Sequence, residues 1–214
     1  MTPQAMGDFI VKATKEFSLD RPHLIAPDIG TSASLCAAAA NESLFSILIV
    51  GGGAMDAAAT AGPLKAMIEA PDTSAFSGAD GGDTVVSMLR TFMKAPTDEQ
   101  LEDYRISYLG GRLVESMAYF RSFPRTLPPL LDRLSSIQTP TLVIYGSQDP
   151  VVPPANAEIL GRSLPHVKVI PLECGHFAWA DKADEYSSAA LAWINDHAEN
   201  DLAISYSSAM RNTK

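Results

Sequence analysis

His23-Leu24-Ile25-Ala26-Pro27-Asp28-Ile29-Gly30-Thr31-Ser32-Ala33 is the stretch on which the reading of this 214-residue chain turns. His23 to Ala26 predict a short strand, apolar without alternation, as in strands covered on both faces. Thr31 to Ala40, a run of Ala, Ser and Cys, predicts a helix whose small residues permit close packing on a sheet. Asp28 stands at the corner between them, where packing has little use for a carboxylate. Ala26-x-Asp28-x-Gly30 is the pattern small, any, nucleophile, any, small. A tight strand-to-helix corner strains its central residue and needs small neighbours two positions either side. The same corner aims the helix N-terminus at the central residue, so backbone N–H groups, that of Ile29 among them, can stabilise an oxyanion. Asp28 is read as a nucleophile. Asp also commonly caps helices, and capping shares this corner without excluding chemistry.

Upstream, residues 5–18 carry Met6, Phe9, Ile10, Ala13 and Phe17 on one helical face, with Asp8, Lys12, Lys15 and Glu16 outside it. Pro22 ends that helix. Downstream, residues 43–50 predict a second buried strand closed by Gly51-Gly52-Gly53. These glycines are not a phosphate loop, since no Lys-Ser/Thr follows. Helix, strand, helix, strand is the signature of a parallel sheet. From there the pattern changes. Helical pieces at 62–69, 84–94, 98–108 and 111–122 are broken by Pro71, Gly78 to Gly82, Pro96 and Gly110-Gly111, with no convincing strand. The sheet resumes with strands at 141–145 and 167–172 around a helix at 156–163. A last helix has Ala183, Tyr186, Ala190, Trp193 and Ile194 on its apolar face. The expected fold is α/β, a mostly parallel sheet of about four strands with an inserted all-helical cap. The core is expected over 1–54 and 134–198, the cap over 55–133 and a polar tail over 199–214.

Function in open α/β sheets collects past the carboxyl ends of the strands. Asp28 follows the first strand, Asp149 the third (Gly146-Ser147-Gln148-Asp149-Pro150) and His176 the fourth (Glu173-Cys174-Gly175-His176-Phe177). Strand ends of one parallel sheet share an edge, so the three can converge. Asp56, three glycines past the second strand, is a weaker alternative acid. Gly30-Thr31-Ser32-Ala33-Ser34 is a second small-x-nucleophile-x-small frame that would make Ser32 the nucleophile of an esterase, but Pro27 and Gly30 separate it from its strand. His23, His166 and His197 stand away from these ends, and Trp179 and Trp193 read as core.

Ala26-Pro27-Asp28-Ile29-Gly30, Gly146-Ser147-Gln148-Asp149 and Gly175-His176, in that order, resemble the α/β-hydrolases over about residues 5–197. The resemblance is strongest to the branch with an aspartate nucleophile, which includes epoxide hydrolases and haloalkane dehalogenases. It implies a catalytic triad of Asp28, Asp149 and His176, an Ile29 N–H in the oxyanion hole, a small apolar epoxide or halide as substrate, water as co-substrate, and no cofactor or metal. Dehalogenases of this branch carry Trp after the nucleophile, where this chain has Ile29. Epoxide hydrolases place a cap tyrosine in a stretch similar to Ala118-Tyr119-Phe120-Arg121, which makes Tyr119 and Phe120 candidate substrate-binding residues. One residue on a helix turns a side chain by about 100°, so Tyr119 stands one position early. Tyr104 and Tyr108 also lie in the cap. The family has roughly four strands and a His-Gly loop ahead of this corner, where this chain has one helix. The resemblance therefore also implies a piece with an unpaired sheet edge, open to pairing with a second copy, and a non-catalytic interaction module is the alternative expectation.

Composition bounds the rest. Sixteen Lys and Arg against 25 Asp and Glu leave a net charge of −9, dispersed along the chain, which argues against nucleic acid or an anionic membrane as partner. No apolar run approaches the roughly 20 residues that span a bilayer, and no basic-then-apolar leader opens the chain. Cys36 and Cys174 form no metal or redox spacing. These features fit a cytoplasmic protein with reduced thiols.

Overall fold

The computed structural model describes residues 1–74 and 80–211, with residues 198–211 as backbone alone. Four parallel strands, β1 (His23–Pro27), β2 (Ile47–Gly51), β3 (Thr141–Gly146) and β4 (Val167–Leu172), pair in sequence order. The register sets Ile25 beside Ile49, Val50 beside Val143, and Val143 beside Val169. All four carboxyl ends therefore open on one edge of the sheet.

The helices before the cap are α1 (Pro3–Glu16) and α2 (Ile29–Ala40). β2 is buried throughout, and its alternate residues feed two cores. Leu48 and Val50 pack with Leu35 and Cys36 of α2. Ile47 and Ile49 pack on the opposite face, with Leu142, Ile144 and, from the C-terminal helix, Tyr186 and Ala190.

The cap comprises α3 (Gly62–Glu69), α4 (Gly81–Phe92), α5 (Asp98–Ser107) and α6 (Arg112–Phe120). Val85 and Leu89 of α4, Leu101 of α5 and Leu113 of α6 give it a core of its own. Asp80 caps α4 by accepting from the Asp83 N–H, and Thr97 with Gln100 forms a capping box on α5. After the cap come α7 (Phe123–Leu131), α8 (Ala155–Ser163), the one-turn α9 (Ala178–Asp181) and α10 (Ala183–Arg211).

Several expectations change in the structure. β1 is not covered on both faces: it is an edge strand pairing only with β2 among the described residues, and Ile25 is 50% exposed. β2 begins at Ile47, because Asn41 to Leu44 close a turn and the Ser46 N–H reaches the Pro22 carbonyl. The inner face of α1 is rotated from the expected one. Phe9 and Phe17 are exposed, while Pro3, Gly7 and Thr14 are buried. The cause is close contact between helices: a Cβ at Gly7 would stand 2.8 Å from the Ala33 carbonyl oxygen of α2.

Helix α7 lies beyond the expected helical pieces, the last of which ends at residue 122, and it forms despite Pro124, Pro128 and Pro129. Pro124 sits in its first turn, where no donor is needed, and Phe123, Leu127 and Leu130 bury one side. Of the break expected at Gly78 to Gly82, Gly78 lies outside the described residues, and Gly81 and Gly82 open α4. The backbone of the expected polar tail continues α10 as far as Arg211, and residues 212–214 lie outside the described set.

Candidate active site

Asp28 occupies the corner between β1 and α2 with φ 54° and ψ −126°, a region costly for a residue with a side chain, on the order of 1–3 kcal/mol. The pattern of small residues around it has the anticipated cause: a Cβ at Gly30 would lie 3.1 Å from that of Ala26. The strained turn is held from below. The Asp28 N–H donates to the Gly51 carbonyl at 2.9 Å. The Thr31 hydroxyl lies 3.1 Å from that same carbonyl and 3.3 Å from the Ala26 carbonyl, and accepts from the Gly51 N–H at 3.0 Å. Thr31 thus locks α2 to the end of β2.

Asp149 and His176 come together because β3 and β4 end side by side. A Cβ at Gly146 would fall 1.8 Å from the Gly175 carbonyl oxygen, so only glycine lets the two loops cross here. The Gln148 N–H donates to the Cys174 carbonyl across the same crossing. Asp149, buried, accepts from the N–H groups of Val151 and Val152 on one oxygen, at 2.8 and 2.9 Å. Its other oxygen lies 2.8 Å from Nδ1 of His176, also buried. That bond presents Nε2 to Asp28, whose nearer oxygen is 3.6 Å away, an ion-pair distance. Burial pushes the imidazole down, but the Asp149 bond and the Asp28 carboxylate outweigh it and raise its pKa to about 10. Phe177 and Trp179 pack against the ring, with centroids 5.0 and 5.9 Å away.

Above these groups, a cavity of about 160 Å³ opens under the cap. Asp28 and His176 form its polar end. Leu64, Met67, Val85, Leu89 and Phe92 are among its apolar walls, and no Lys or Arg lines it among the described residues. Tyr104 and Tyr108 line it too, both pushed up by burial and then by the Asp28 charge.

Of the two expected substrate-binding residues, Phe120 lines this cavity and Tyr119 does not. The Tyr119 hydroxyl turns the other way and donates to the Ile29 carbonyl at 3.0 Å. Its place in the cavity is taken by Tyr104 and Tyr108, which sequence spacing had not preferred. Ser32 is buried inside α2, with its hydroxyl 3.0 Å from that of Tyr119. It has no contact with His176, so the esterase frame is not assembled. Asp56 accepts from the Ala58 N–H and caps a one-turn helix at Ala57–Ala59, away from the acid's place beside His176. Asn156, unremarked in the sequence, is buried and accepts from the N–H groups of Met55 and Asp56 while donating to the Ala59 carbonyl. It ties the chain after β2 to α8. Both cysteines are free and buried.

Among the described residues no cluster of three or more His, Cys, Asp or Glu side chains is arranged to hold a metal ion. No helix among them is long and apolar enough to cross a membrane.

A strained corner after a parallel strand, facing a histidine and an acid from the next strand ends, agrees with the family comparison: residues 4–183 match the alpha/beta hydrolase fold. The chain belongs to the α/β-hydrolase family. It is 25% identical over 193 residues to 2-hydroxy-6-oxononadienedioate/2-hydroxy-6-oxononatrienedioate hydrolase 2 of Pseudomonas putida, covering 82% of this chain and 63% of that protein. It therefore spans less than two thirds of that protein's length. Two solved structures share the fold: an esterase from Exiguobacterium antarcticum (TM-score 0.73, 18% identity, 91% of this chain and 74% of that one) and an enol-lactonase from Burkholderia xenovorans (TM-score 0.73, 14% identity, 91% and 74%).

Proposed function

We propose that this α/β-hydrolase opens a small, neutral, apolar epoxide through an ester on Asp28. The observation that carries the proposal is a carboxylate, where an esterase needs a hydroxyl, on the strained corner 3.6 Å from Nε2 of His176. A carboxylate needs no deprotonation to attack carbon, so the histidine is left to act on water. In the first step an Asp28 oxygen attacks an epoxide carbon and the carbon–oxygen bond of the ring breaks. The alkoxide takes a proton from Tyr104 or Tyr108, the hydroxyl-bearing rings of the cavity. In the second step His176 takes a proton from water as the oxygen adds to the ester carbonyl. The Ile29 N–H faces the resulting oxyanion. Collapse breaks the bond to the alkyl oxygen, which receives the proton from His176 and leaves as a diol. The carboxyl proton returns to the imidazole, which restores the resting state.

Ester formation removes the Asp28 charge, one of the causes that raises the His176 pKa. The proton that the ring holds in the resting state then passes to the tyrosinate left by the first step, and the neutral imidazole is the base of the second. Two tyrosines in the cavity and Ile29 after the nucleophile favour an epoxide over a halide. The Pseudomonas putida relative is named for dienedioates, which are dianions. A cavity with one carboxylate and no Lys or Arg disfavours such a charge.

The test is incubation with a styrene-oxide-type epoxide and a haloalkane beside Asp28→Ala. Single turnover in ¹⁸O-water should place the label in Asp28 and leave the first diol unlabelled. Label in the first diol overturns the ester on Asp28, and equal rates for the two proteins overturn the proposal and leave the non-catalytic module.

A further inference from the structure

The phenol of Tyr119 joins the cap to the nucleophile corner. It belongs to α6, is buried, and donates to the Ile29 carbonyl at 3.0 Å in the first turn of α2. Its proton being used there, the Ser32 hydroxyl donates to it at 3.0 Å, so serine, tyrosine and carbonyl form a directed chain. Phe120 and Phe123 hold the ring edge-on at 5.8 and 5.3 Å. The corner is therefore gripped twice. Thr31 and Gly51 grip it from the sheet, on the Asp28 N–H side. Tyr119 grips it from the cap, on the far side of the Ile29 residue whose N–H faces the oxyanion.

We infer that Tyr119 is a positioning residue that, through the Ile29 carbonyl, sets the angle of the oxyanion-binding N–H, so that seating of the cap is required for ester hydrolysis but not for ester formation. This inference rests on the Asp28 reading above. Attack by Asp28 on the epoxide places no charge on its own carbonyl, so the Ile29 N–H has nothing to stabilise in that step. Addition of water to the ester does create that charge, and a misaimed donor weakens only this step.

Tyr119→Phe keeps the ring contacts and removes the hydrogen bond. The expected result is a kcat about tenfold lower with kcat/KM within twofold of wild type, because kcat/KM reports only steps through ester formation. Intact-protein mass spectrometry should show the Asp28 ester accumulating. Ser32→Ala, which leaves the tyrosine bonded to Ile29, should lower kcat about two- to threefold in the same pattern. Equal falls in kcat and kcat/KM, or no change in either, overturn the inference. His176→Gln separates this outcome from failure of the parent reading, since it should trap the ester whatever Tyr119 does. No adduct in that variant overturns the ester reading and the catalytic half of this inference together. The positioning half is decided independently by amide hydrogen exchange: faster exchange across residues 29–33 in Tyr119→Phe supports it, and unchanged exchange overturns it.

Discussion

The two halves of the site are built in opposite ways. Asp149 follows the interior strand β3 and His176 the strand β4 paired beside it; the two are 5% and 7% exposed and leave no unpaired oxygen on the acid. Asp28 follows β1, and is the open half: its side chain is 40% exposed, with Ile25 and Ile29 open beside it. The acid–base half is held by the sheet itself. The nucleophile half is held by two local grips, one from β2 and one from the cap. A buried pair keeps its geometry through packing, whereas a half-exposed residue needs dedicated hydrogen bonds to hold a strained backbone.

The largest effect that breaks this contrast is at the corner. Asp28→Gly should abolish epoxide turnover, a fall of about 10⁴-fold or more. It should also raise the melting temperature, because glycine adopts the φ of 54° freely. A melting temperature below wild type would show that the corner is not strained. Asp149→Ala comes next. It strands the Val151 and Val152 N–H groups and releases the ring of His176, so turnover should fall about 10³-fold and stability by about 1–3 kcal/mol, read by urea unfolding.

Core and edge differ in a third way. Ile49→Ala should cost about 2–4 kcal/mol, and Ile25→Ala, its register partner, under about 0.5 kcal/mol. Comparable losses would mean that the β1 edge is covered in solution. Sedimentation of the wild type beside Ile25→Lys is the cross-check: the same species is expected for both, and a dimer that the lysine dissociates would show that a second copy covers the edge.

The smallest effect is a pH slope. The folded pKa of His176, about 10, lies above its unfolded value near 6.5. Its contribution to stability is therefore full below about pH 6.5 and is lost as pH rises through about 10. The melting temperature should drift down over that window. In Asp28→Gly, which lacks one of the two carboxylates, the drift should begin at the same pH but end at a lower one. NMR titration of the imidazole provides the check.

The strand ends and the order Asp28, Asp149, His176 along them were legible because glycine, proline and apolar runs mark turns and strands locally. Thr31 and Asn156 were not, since each reaches a partner about 20 or 100 positions away that no spacing rule connects. Helix α7 lies past the last expected helical piece, and its sequence is rich in proline, which is harmless in a first turn and bearable near a helix end. Phe9 and Phe17 misled because the apolar stripe of α1 was taken as its inner face, while Gly7 let α2 press against another side.

What the sequence by itself determined is the parallel α/β core and the placing of Asp28, Asp149 and His176 at its carboxyl edge, since one strand direction puts all such residues on one side. Which tyrosines face that edge was decided only by tertiary structure. Sequence spacing sets the angles between residues on a helix, but the rotation of the helix as a whole is set by what it packs against. α6 turns Tyr119 onto α2 and leaves Phe120 to the cavity, and the packing of α4 with α5 brings Tyr104 and Tyr108 to face Asp28.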